Sequence, residues 1–287
     1  VAADDPRGWR LGGAAAYVGL TLARLGIATR VLVGVDTAAA AASELDLLRS
    51  AGADLEPVRL ARGPVFENVE TPTGRHQRCI SPSDPIPPSA MPGRWDDTPN
   101  VGAVALAPVA GEIEAGWASV PAASALVALG WQGLLRTLVA GRDVERRVPA
   151  AGPLLNRADL IAVSEDDLGP IVRPRDAVAL IRPGATLVIT RGERGGSVFT
   201  RALVGRSALR TYPASPRRSV VDPTGAGDVF LAALLATAID GARLGVGSGW
   251  TARLRFAAAA AALVVEAPGL AGVPDLAAVR SRLAERG

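Results

Sequence analysis

From residue 101 onward, short apolar runs alternate with stretches of helical spacing. Residues 101–107, 125–129, 160–163 and 187–190 are each short, apolar and followed by turn-forming residues. Strands buried on both faces of a parallel sheet read this way. Between them, 114–120 and 175–181 carry a helical pattern. The alternation predicts a mainly parallel sheet with helices on both faces and ligands at the carboxyl ends of its strands. Nearer the start, 14–26 reads as a helix entered through Gly12 and Gly13, and 30–35 as a strand.

Residues 55–80 have a different texture. VFENVE (65–70) and HQRCI (76–80) flank TPTGR, the pattern of a β-hairpin with Gly74 in its turn. The Pro- and Ser-rich stretch 81–95 reads as an irregular return. These segments predict a small β flap on an α/β body. With no repeat and no linker in view, one domain over residues 1–287 is expected, its lid drawn from about 55–95 and the N-terminal segment.

Composition narrows the chemistry. Apolar residues make up 49% of the 287 and charged residues 21%, ordinary values for a globular chain. No apolar run approaches the ~18 residues of a membrane span. The chain contains no lysine: its 31 Lys and Arg positions are all arginine. That excludes a Walker-type phosphate loop, Schiff-base chemistry and a protein-kinase site built on a strand lysine. The arginines are scattered and the net charge is only +3, so nucleic acid is not an expected partner. One cysteine, Cys79, makes no internal disulfide and fits a reducing cytoplasm. The single histidine, His76, lies in an alternating segment and reads as a solvent-facing strand residue.

The strongest signal is DPTGAGD, residues 222–228, opening a long apolar helical stretch. Asp-Pro-Thr bends the chain, and Gly225, Ala226 and Gly227 leave the first-turn N–H groups bare for an anion, which the helix's positive end favours. Asp228, in that same turn, is placed to accept a proton from an attacking hydroxyl.

This segment is similar to the DTxGAGD signature of the ribokinase/PfkB-type carbohydrate kinases, with Pro223 in place of the usual Thr. Further resemblances follow in the family's order. LGGAAAYVGLTLARLG (11–26) looks like its N-terminal Gly-Gly signature and VFEN (65–68) like a lid strand. ADLIAVSEDDL (158–168) resembles the approach to its divalent-metal motif. LVITRGERGGSVF (187–199) resembles its nucleotide-side strand and turn, and 257–274 its C-terminal helix. The resemblance implies a ribokinase-like three-layer α/β/α fold, with a mainly parallel central sheet and a small β lid.

The resemblance also implies roles. Asp228 is the implied base and Gly225, Ala226 and Gly227 the anion hole. Thr190, Gly192, Gly195 and Thr224 lie on the nucleotide side, and Asp222 and Thr224 match positions that help hold a monovalent cation, K⁺. Gly12 and Gly13 match acceptor-site glycines; as plain sequence they also read as a helix-entry turn. The family's first strand ends in an acceptor-binding Asp, for which Asp4 is the candidate. Where the family has an acceptor-contacting Asn, this chain has Tyr17.

The metal motif departs from the family's N-x-x-E and reads Ser164-Glu165-Asp166-Asp167. Asp167 either holds Mg²⁺, through water, or belongs to a capped helix start. Gln132 and Arg136, in WQGLLR after the strand at 125–129, resemble a Q-G-x-x-R segment of a branch near the inositol kinases. They either meet polyol and phosphate or form a solvated turn. The reading implied is an ATP- and Mg²⁺-dependent kinase of a sugar or polyol, cytoplasmic and away from membranes. The family's lids often pair, which implies a homodimer through the lid. A nucleoside or vitamin-precursor kinase, with Tyr17 stacking on a base, and a non-catalytic binding protein are the alternatives.

Overall fold

The structure is a computed structural model that describes residues 5–71, 74–95 and 101–285. The elements run α1 (Ala14–Arg24), β1 (Arg30–Val35), α2 (Thr37–Ala40), α3 (Glu44–Ser50), β2 (Asp54–Arg59), β3 (Val65–Thr71), β4 (Gly74–Ser81), β5 (Ala103–Leu106) and β6 (Leu126–Gly130). They continue with β7 (Arg136–Thr137), β8 (Arg142–Asp143), β9 (Glu145–Arg146), α4 (Pro153–Arg157), β10 (Leu160–Ser164), α5 (Glu165–Leu168), α6 (Pro174–Val178) and β11 (Thr186–Thr190). The last are β12 (Gly196–Thr200), β13 (Ala208–Tyr212), α7 (Ala226–Leu244), α8 (Trp250–Val264) and α9 (Leu276–Ala284).

Each apolar run expected as a strand forms one, within a residue or two at either end. They join in a six-stranded sheet ordered β13-β12-β11-β10-β6-β5. The pairs β5–β6, β6–β10 and β10–β11 are parallel, while β12 and β13 close one side antiparallel. Strand pleating sends alternate residues to opposite faces. Leu160 and Ala162 of β10 therefore join a core with α1, α7 and α8, whereas Ile161 and Val163 pack into a second core on the other face. Two apolar faces need two helical layers, and the expected α/β/α arrangement with its β lid results. Residues 115–119, inside the helix expected at 114–120, form a 3-10 turn instead.

β1 and β2 pair with each other in parallel, apart from the main sheet. Among the described residues, β1 and β5 each keep one edge unpaired, and residues of both line the same large cavity. β2, within the stretch from about 55 expected to contribute to the lid, pairs with β1 and not with the hairpin strands. The lid hairpin is β3 paired with β4, in register Asn68 to Gln77 and Phe66 to Cys79. Gly74, expected in its turn, is the first residue of β4 and pairs with Thr71; residues 72 and 73 lie outside the described residues. A third strand joins from far along the chain: β8 pairs with β4, Arg142 opposite Cys79 and Asp143 opposite Arg78. No helix of the described residues is long and apolar enough to cross a membrane.

Candidate active site

The tip of α7 sits at the floor of a cavity of about 2180 Å³. Gly225 occupies the N-cap position with φ +80°, and no side chain caps the helix. Only glycine takes this left-handed conformation freely. A Cβ there would also lie 2.4 Å from the ring of Tyr17. Tyr17 is buried to 1% exposure beneath the loop, so it serves as the loop's platform, and little of its ring is exposed for the stacking on a base that the alternative nucleoside reading would use. Asp222 organises the approach. Its two oxygens accept from the N–H groups of Thr224 (2.9 Å) and Gly269 (3.1 Å). Gly225, Ala226, Gly227 and Asp228 all line the cavity, as does Thr224.

The Asp228 carboxyl is partly buried at this floor. Loss of water pushes it up first, the negative charge of Asp167 adds to the rise, and Arg136 opposes it. The result is a group raised to about 7, poised to exchange a proton near neutrality.

Asp167 is the centre of a network from three elements. Its carboxylate accepts from Gln132 Nε2 at 3.1 and 3.2 Å, from Arg136 Nη2 at 3.2 Å and from the Ser164 hydroxyl at 2.5 Å. The Ser164 hydroxyl in turn accepts from the Asp167 N–H, the capped helix start read in the sequence. Gln132 and Arg136 thus face the cavity but grip a carboxylate of the chain. Arg136 also lies over the ring of Phe66, 5.8 Å from its centroid, which ties the network to the lid. The partnership of Gln132 with Asp167 had no local sequence signal, being 35 residues apart.

With its oxygens so engaged, Asp167 fits Mg²⁺ only through water. Glu165 is drawn away by Arg191 (2.7 Å) and Arg194 (2.5 Å), and those hydrogen bonds hold its carboxyl below the usual range. No group of three or more metal-ligating side chains occurs among the described residues.

The remaining expected residues divide. Gly12 and Gly13 line the cavity, and a Cβ on either would meet open space. Gly13, at φ +94°, is also the N-cap of α1, as the helix-entry reading expects. Thr190 and Gly192 line the same cavity as the α7 tip. Gly195 turns the chain against β13, where a Cβ would lie 2.0 Å from the Tyr212 carbonyl oxygen. Asp4 lies outside the described residues. His76 lies 3.1 Å from Asp143 on the lid, and both side chains are more than half exposed. Asn68 and Gln77 were not singled out in the sequence, yet both line the cavity from the lid.

Residues 148–276 match the model of the pfkB family carbohydrate kinases. No curated protein matches the chain in sequence. Among solved structures, an archaeal ribokinase-family nucleoside kinase from Methanocaldococcus jannaschii shares 18% identity at TM-score 0.66, covering 96% of this chain and 87% of that one. Ribokinase from Arabidopsis thaliana, complexed with ribose and ATP, shares 20% at TM-score 0.64, covering 95% and 87%. A pyrophosphate-dependent myo-inositol-1 kinase, converted by substitution into a myo-inositol-3 kinase, shares 19% at TM-score 0.70, covering 99% and 95%. At such identities these neighbours speak for the fold. The sequence match spans the segment that carries Asp228. The family match bears out the resemblance to the PfkB-type kinases and the expected enzyme class, a carbohydrate-kinase phosphotransferase, and the neighbours bear out the ribokinase-like fold.

Proposed function

We propose that the protein transfers the γ-phosphoryl group of ATP to a hydroxyl of a small sugar or polyol. The observation that carries this is the pairing of an uncapped helix tip with a carboxyl raised to about 7 at the floor of one cavity. Asp228 in its ionised form takes the proton of the acceptor hydroxyl. The freed oxygen bonds to the γ-phosphorus while the bond from that phosphorus to the β–γ bridging oxygen breaks. The bridging oxygen's electron pair leaves with ADP. N–H groups of the first turn of α7 face the charge on the travelling group, where preorganised donors count most.

Mg²⁺, when bound to the donor, neutralises phosphate charge. Ser164 and Asp167 would meet its water shell. Thr190 and Gly192 border the donor end, and Gly12 and Gly13 the acceptor end. The lid, anchored through Phe66 and Arg136, excludes water from the reacting groups.

The burial of Tyr17 leaves the nucleoside reading without its stacking partner. A panel of polyols, sugars and nucleosides, each offered with ATP and separately with pyrophosphate, tests the proposal by product formation. Phosphorylation of a sugar or polyol with ATP is expected. Turnover of nucleosides alone contradicts the acceptor class, and turnover with pyrophosphate alone contradicts the donor.

A further inference from the structure

We infer that Arg191 is a positioning residue for the phosphoryl donor, which with Glu165 fixes the spacing between the Mg²⁺ side of the site and the donor side. The inference rests on the kinase reading above and adds what holds those two sides in place.

β10 and β11 run parallel, with Ser164 opposite Thr190 at their carboxyl ends. Beyond that pair the two chains part. Ser164 caps α5, which carries Asp167, while Thr190 leads into the 3-10 turn Gly192–Arg194. Ser164, Asp167, Thr190 and Gly192 all line the cavity. The sheet's ladder between these strands ends here, so side chains set the spacing past it.

Glu165 and Arg191, the next residue on each chain, turn to each other. Arg191 Nε donates to Glu165 Oε1 at 2.7 Å, and Arg191 Nη1 donates to the Ser197 hydroxyl at 2.7 Å. Ser197 lies on β12, is buried, and pairs with Ile189 of β11. The planar guanidinium, with its donors in fixed directions, therefore braces the start of α5 against β12.

Exposure decides which contact matters. Arg194 also donates to Glu165 at 2.5 Å, and Arg217 to Glu193 at 2.9 Å. Arg194 is 67% exposed and Glu193 73%, and ion pairs so open to water contribute little. Arg191 is only 21% exposed and is held on two partners. ADP alone would meet the Thr190–Gly192 side. ADP with Mg²⁺ would engage Ser164 and Asp167 as well, through the ion's water shell. The brace therefore counts most when both sides are engaged.

Calorimetry on the whole chain tests this, with ADP as the probe in Mg²⁺ and in EDTA. The parent is compared with Arg191→Met, Glu165→Gln and the double variant, and melting temperatures are recorded beside the affinities. The parent is expected to bind ADP more tightly with Mg²⁺ than in EDTA. Each single variant is expected to bind about tenfold more weakly with Mg²⁺ and to stay within about twofold in EDTA, and the double variant to lose no more than either, as residues of one network do.

The two substitutions remove opposite charges. If Arg191 acted on the phosphates by charge alone, Arg191→Met would weaken ADP binding and Glu165→Gln would strengthen it. Glu165→Gln keeps the side chain's shape at a partly exposed position, so it carries the test even where Arg191→Met does not fold. Opposite shifts in the two variants overturn the inference. So does a Mg²⁺ gain kept intact in Glu165→Gln while only its melting temperature falls, or a parent with no Mg²⁺ gain. Failure of the kinase reading looks different: a parent that binds ADP under neither condition contradicts the donor itself, and the inference falls with it.

Discussion

Arg136 Nη2 stands 3.2 Å from Asp167 Oδ1, and the charges of both residues act on the carboxyl of Asp228. One pulls its proton affinity down and the other raises it, on top of the larger rise from lost water. The pair therefore tunes the base. Asp167→Asn removes a raising charge and is expected to move the acid limb of kcat/KM toward lower pH. Arg136→Met removes the lowering charge and is expected to move it upward from the parent's midpoint of about 7. Rate profiles between pH 5 and 9 read both shifts, and parallel movement in one direction contradicts the tuning role.

The same group carries a stability signature. Its folded value lies above the ordinary 3.8, so ionised Asp228 opposes folding. That cost is absent below about pH 4, grows as pH rises toward 7, and stays constant beyond. Asp228→Asn is expected to raise the melting temperature at pH 8 and leave it unchanged at pH 4. A melting temperature lowered at pH 8 contradicts the burial of this charge.

Gly225 is held between a left-handed backbone and the Tyr17 ring. Gly225→Ala meets both obstacles. Backbone strain alone costs roughly 1–2 kcal/mol, and the ring overlap adds displacement of the helix tip. Turnover is expected to fall on the order of 10²-fold, the scale of one lost anion-hole donor. Parent-like kcat in this variant argues that the tip does not hold the travelling phosphoryl group.

Away from the site, Arg282 and Glu266 form a nearly enclosed ion pair at 2.8 Å, with side-chain exposures of 6% and 15%. Burial pushes the Glu266 carboxyl up, but the hydrogen bond from Arg282 and others outweigh it and leave it below its usual value. Its contribution is present above about pH 4.5 and lost as pH falls below that. Arg282→Met leaves a buried carboxylate unpaired and is expected to destabilise by about 3 kcal/mol in denaturant titration at pH 7. Glu266→Gln with Arg282→Met is expected to recover much of that loss; no recovery in the double variant argues against coupling.

Much of the fold was legible because the deciding patterns are local. β1 occupies the predicted 30–35, and the runs around 160–163 and 187–190 are buried on both faces, as continuous apolar strands must be. DPTGAGD announced the helix tip through glycine and a carboxylate placed in order. What stayed hidden depends on distant partners. Nothing near Arg142 and Asp143 signals that they extend the lid sheet beside β4. Asp167 reads as a metal ligand or a cap until Gln132 and Arg136 are seen on its oxygens. Tyr17 stands at an acceptor-contact position in the sequence, yet the packing of α1 against α7 turns it under Gly225. Asn68 and Gln77 became visible only once the hairpin register brought them face to face.

The central claim is that Asp228 relieves the acceptor of its proton. ADP release at pH 8 over a polyol and sugar library, comparing the parent with Asp228→Asn, tests it most directly. A fall of roughly 10²–10⁴-fold in turnover, with acceptor binding and fold retained, is the predicted result. Equal turnover in the two proteins contradicts it.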